Sequence, residues 1–117
     1  MTIKDYKELQ IWQKGIEITD RIYSITRNFP QDELYGLTSQ MRRAAVSIPS
    51  NIAEGFARQH RKEYTQFLFT ALGSCAELET QSIIAERQHY LIQSDKEELL
   101  EALNHQARMT MNLIKSL

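Results

Sequence analysis

Cysteine, proline and glycine are scarce in this chain of 117 residues, which holds one Cys, two Pro and four Gly. A single thiol, Cys75, excludes a disulfide framework and fits a reducing compartment. No run of about 18 uncharged apolar residues occurs, so no membrane-spanning helix is expected. The first eight residues lack the apolar core of a secretory signal, and a cytoplasmic location is expected. Charge of one sign is also missing: 14 Lys and Arg face 15 Asp and Glu, for a net charge of −1. Catalytic motifs are absent, so no enzymatic activity, cofactor, metal or small-molecule substrate is expected. What remains is an apolar share of 42%, enough for a folded core and too much for a disordered chain. One domain suits the length.

Helical periodicity dominates, and no strand-like alternation competes with it. In a first stretch, over 9–28, Ile11, Ile18, Ile22 and Ile25 form one stripe and Trp12, Ile16 and Tyr23 a second beside it. Phe29-Pro30 ends it, because the residue before proline avoids the α region. A second helix, over 32–54, starts at Asp32 as cap, carries Leu34, Leu37, Met41, Ala44, Ala45, Ile48 and Ile52, and stops at Gly55. Pro49 cannot bond the Ala45 carbonyl, which predicts a kink or break near Ser47. The third helix, long and lying over 61–90, contains Gly73, whose small size predicts close packing. The fourth, over 95–116, opens on a Ser94–Glu97 capping box and turns Leu99 or Leu100, Leu103, Ala107, Met111, Ile114 and Leu117 inward. Short connections between long amphipathic helices predict an all-α, antiparallel up-down-up-down four-helix bundle.

The third helix has more apolar surface than one core needs. With Phe67 at 0° on a wheel of about 100° per residue, Phe67, Ala71, Leu78 and Ala85 lie at roughly 0–40°. Leu68, Leu72 and Cys75 lie at about 80–140°, and Phe69, Ala76 and Ile83 at about 160–200°. That arc is about double the stripe of an ordinary surface helix. Glu63, Gln66, Thr70, Glu77, Gln81 and Gln88 fill the solvated sector, with Ile84 as the exception. Exposed Phe69, Ala76 and Ile83 would form an interface-sized patch, so they are the candidate contacts between identical copies.

Charged residues offer few sites. Glu79 and Glu86 fall inside the apolar arc, where carboxylates are usually paired. Counting outward from the turn between the second and third helices predicts Arg42 or Arg43 within reach of Glu77 or Glu79, in one chain or across an interface. Glu86 and His89 have the spacing of a di-iron motif, but no second copy accompanies them and no metal site is expected. Cys75 reads as a small core residue. Between Gln40 and Lys62 five basic residues face only Glu54, whereas between Glu77 and Glu101 seven acids face Arg87 and Lys96. Arg58, His60, Arg61 and Lys62 are accordingly the candidate contacts for RNA or another partner, and oligomerisation would multiply them.

The run from Leu37 to Gly55, LTSQMRRAAVSIPSNIAEG, carries a family resemblance. Leu9 with Trp12-Gln13, Phe29-Pro30 with Glu33, Leu34-Tyr35 before Gly36-Leu37, and Gly73-Ser74 with Glu77-Leu78 add to it. The chain resembles, over nearly its whole length, the bacterial four-helix-bundle proteins encoded by intervening sequences of 23S ribosomal RNA genes. That family is similar to the accessory protein of diversity-generating retroelements, a pentameric barrel that works with a reverse transcriptase and nucleic acid. The resemblance implies a helical bundle, a homopentamer and no enzymatic activity, and it supplies no settled biochemical role. A net charge of −1 departs from the strongly basic surface of the retroelement accessory type.

Overall fold

A computed structural model describes residues 2–117, which form a body of 45 × 24 × 20 Å. Its four α-helices are α1, Gln10–Thr26; α2, Leu37–Arg58; α3, Arg61–Arg87; and α4, Gln93–Ser116. Short 3-10 turns at Tyr6–Glu8 and Gln31–Glu33 precede α1 and α2. Ile11, Ile18 and Ile22 of α1 are buried, while Ile16 and Tyr23 of the neighbouring stripe stay partly exposed. Met41, Ala44, Ala45, Ile48 and Ile52 of α2 complete that half of the core. Leu68, Ala71, Cys75, Leu78 and Ala85 of α3, with Leu99 and Leu103 of α4, fill the other half.

Cross-helix hydrogen bonds set the directions. Thr19 of α1 reaches the Ala45 carbonyl, and Thr26 accepts from Arg42, so rising numbers on α1 meet falling numbers on α2. Ser47 and Ser74 share a hydrogen bond of 2.8 Å across α2 and α3, which meet at the Gln59-His60 turn. Gln106 of α4 donates to the Ile11 carbonyl at 2.7 Å, whereas Glu98 pairs with Arg21, so α4 runs opposite to α1. An up-down-up-down bundle results.

Several local expectations change once neighbours are in place. Pro49 does not break α2, which is helical from Leu37 to Arg58. The Ala45 carbonyl that Pro49 cannot bond lies instead 3.1 Å from the Thr19 hydroxyl of α1, whose single proton is shared with the Gly15 carbonyl at 2.8 Å. Gly15 makes room for this contact: a Cβ there would lie 3.3 Å from Ile48 and Pro49. Gly55 is not a stop either. It is buried inside α2, and a Cβ would sit 2.6 Å from the Phe67 Cβ, so glycine is what lets α2 and α3 approach. The stop falls at Gln59, in the left-handed region with φ 61°.

The other ends shift similarly. α2 starts at Leu37 rather than Asp32, because Glu33 accepts from the Leu37 amide at 3.1 Å and takes the capping role. Glu33 also accepts from the Tyr90 hydroxyl at 3.0 Å, tying this cap to the α3–α4 turn. α3 ends at Arg87, and His89, at φ 67°, turns the chain. α4 begins at Gln93, so Ser94 lies within the helix and makes no cap. Its buried polar residues are Gln106 and Thr110, whereas Ala107, Met111, Ile114 and Leu117 are half-buried. Gln81 is buried too, not solvated. Gly73 meets no close packing within the chain, since a Cβ would find nothing within 4 Å.

Candidate functional site

α3 has two apolar sides. Leu68, Ala71, Cys75, Leu78 and Ala85 face the core, and on the opposite side Phe69 is 51% and Ile83 41% exposed, with Ala76 exposed between them. Gly73 and Thr80 belong to that same outward stripe. Its steps of four and three residues are the spacing found along coiled-coil seams.

α2 carries a second outward stripe with the same spacing, through Ser39, Arg43, Val46 and Ser50. Sequence reasoning missed it because its members are small or polar; the three-four spacing was the available signal. An open groove runs along it, lined among others by Tyr23, Tyr35, Arg42, Arg43, Val46 and Ser50, and no carboxylate lines it. Arg42 is half-buried, donates to the Thr26 hydroxyl at 2.9 Å and stacks over the Tyr23 ring at 4.7 Å. Arg43 is exposed. Neither arginine pairs with Glu77 or Glu79 within the chain, and among the described residues neither acid has a cation within 4 Å. Glu86, the other acid of the apolar arc, lies 3.9 Å from Lys96.

The basic turn is partly neutralised. Arg58 lies 3.5 Å from Glu54 and 3.4 Å from Glu63, with its guanidinium over the Phe67 ring. His60 caps α3 through backbone geometry and is exposed. Arg61 and Lys62 are exposed in the first turn of α3, where the helix dipole disfavours cations.

No group of three or more metal-ligating side chains assembles among the described residues. Cys75 is buried, and burial, reinforced by Glu79, pushes its thiol up to about 12 from the usual 9.0. It therefore stays protonated at neutral pH. No helix among the described residues is long and apolar enough to cross a membrane.

Together these features define a small all-α four-helix-bundle protein whose α2 and α3 each leave one side uncovered by their own bundle. The sequence profile of the 23S rRNA-intervening sequence protein family matches residues 7–112, and the chain belongs to that family. Its fold is similar to the crystal structure, at 1.70 Å, of a protein of unknown function from the S23 ribosomal protein family of Bacteroides thetaiotaomicron. That likeness has a TM-score of 0.80 at 23% identity and covers 90% of this chain and 98% of the other. No curated protein matches the chain.

Proposed function

We propose that this protein is a non-catalytic helical scaffold that associates with copies of itself and presents its basic turn to RNA or an RNA-associated protein. The outward stripe of α3 carries the reading, because Phe69 and Ile83 are large side chains left uncovered by their own bundle. A ring of five is what the family resemblance implies. Multi-angle light scattering at micromolar concentration is the direct test, with a multiple of the single-chain mass expected; the single-chain mass at all concentrations would end the reading.

The partner-binding half rests on Arg61 and Lys62, which sit at a helix start against the dipole and make no ion pair among the described residues. Filter binding to single- and double-stranded RNA should show salt-dependent retention that disappears in the Arg58/Arg61/Lys62 triple-alanine variant. A second reading, a module that binds only protein, is favoured by the ion pairs that Arg58 makes with Glu54 and Glu63. Absence of RNA retention at low salt would select it.

A further inference from the structure

We propose that the outward face of α2 is the surface that receives the outward face of α3 from a second copy of this chain, so that copies join head to tail. This rests on the self-association reading and adds the identity of the receiving surface. α3 presents Phe69, Gly73, Ala76, Thr80 and Ile83, and α2 presents Ser39, Arg43, Val46 and Ser50, each in the alternation of three and four residues that left-handed helix pairs use.

The register inside one bundle determines what would meet. The Ser47–Ser74 hydrogen bond places those two residues level, and α2 and α3 run in opposite directions. Four residues onward, Arg43 is level with Leu78, next to Glu77 and Glu79. By the same count Phe69 is level with the space between Ser50 and Ala53. Gly73 and Ala76 bracket the height of Val46, and Ile83 comes beside Ser39. Rotation about an axis parallel to the bundle keeps these heights, so α3 of one copy would meet α2 of the next with large side chains opposite small ones. Val46, 40% exposed, would enter the gap over Gly73, where a Cβ finds nothing within 4 Å.

Charge agrees with shape. The α2 groove holds Arg42 and Arg43 and no carboxylate, while Glu77 and Glu79 flank the α3 stripe without a cation of their own among the described residues. Docking α3 on α3 about a two-fold axis near Ala76 would instead bring two Glu77 carboxylates together. Two different faces in contact make a heterologous interface, which closes as a ring where the rotation permits.

Complementation tests this. Phe69→Glu breaks the α3 face and leaves α2 intact; Val46→Glu does the reverse, and both residues are exposed in the single chain. Each variant alone should have the single-chain mass with unchanged helical circular dichroism. Their mixture should give a 1:1 dimer and nothing larger, because only one working interface remains. Arg43→Glu and Glu77→Arg should each weaken association roughly tenfold at low salt, and combining them should restore it. A monomeric wild type defeats the underlying reading. An oligomeric wild type that Phe69→Glu dissociates and Val46→Glu leaves at full mass overturns the inference alone. Loss of RNA retention in Arg42/Arg43 double alanine, with full mass kept, would assign the groove to RNA and also overturn it.

Discussion

Glu33 illustrates how one side chain joins distant parts of this chain. One carboxylate oxygen caps the start of α2 and the other accepts from Tyr90, 57 residues away. That hydrogen bond, aided by burial and by the charge of Glu33, holds the Tyr90 phenol above its usual value of 10.0. The bond needs the phenolic proton, so its contribution is complete below about pH 10 and lost as the pH rises through the folded value. Wild-type stability should accordingly fall more steeply than that of Tyr90→Phe above about pH 10, as urea midpoints would show; equal slopes would discount the bond. Gly55 makes a sharper demand. Gly55→Ala should cost about 1–3 kcal/mol in urea unfolding, because the new methyl group meets the Cβ of Phe67 and neither atom can rotate away. Cys75 should react with iodoacetamide at pH 8 only after denaturation, given a buried thiol held at about 12.

Among the helices, α2 and α3 depend most on their neighbours. The Thr19 hydroxyl, shared between the Gly15 and Ala45 carbonyls, is the donor that stands in for the missing Pro49 amide, so Thr19→Val should cost on the order of 1 kcal/mol by leaving the Ala45 carbonyl unpaired. In a Pro49→Ala background the same change should cost much less, since residue 49 then offers its own amide. Additive effects in that cycle would show that Thr19 acts through packing instead. The four helices are legible in the sequence because their apolar spacing is local. A kink or break near Pro49 and a stop at Gly55 are what local rules predict; α2 instead stays helical through both, with Thr19 of α1 beside the Ala45 carbonyl and Gly55 leaving room for Phe67 of α3. Gln81 departs from its predicted exposure for a related reason: a polar side chain on a wheel says nothing of how far a neighbouring helix reaches around it.

For the whole molecule, the buried and exposed sides of α3 should answer to different measurements if copies associate as proposed. Leu78→Ala should lower unfolding stability by about 2–5 kcal/mol, since Leu78 is fully buried. Ile83→Ala should leave a single chain nearly as stable and weaken association instead, which a concentration series in sedimentation velocity would separate. Residue spacing by itself reveals the outward face of α3, as an apolar arc too broad for one core. It does not reveal the groove on α2, because serine and valine at the same spacing carry no strong hydrophobic signal.

By itself the sequence determined the helical class, the approximate extent of each helix and the surplus apolar side of α3. These properties follow from interactions within one or two helical turns, which residue spacing records directly. Tertiary structure alone decided which carbonyl Thr19 satisfies, why Gly55 is glycine, and that Arg42 rests on Thr26 and Tyr23 rather than on an acid of α3. Those outcomes depend on the rotation and sliding of whole helices against one another, and many side-chain pairs far apart in the chain set that register together.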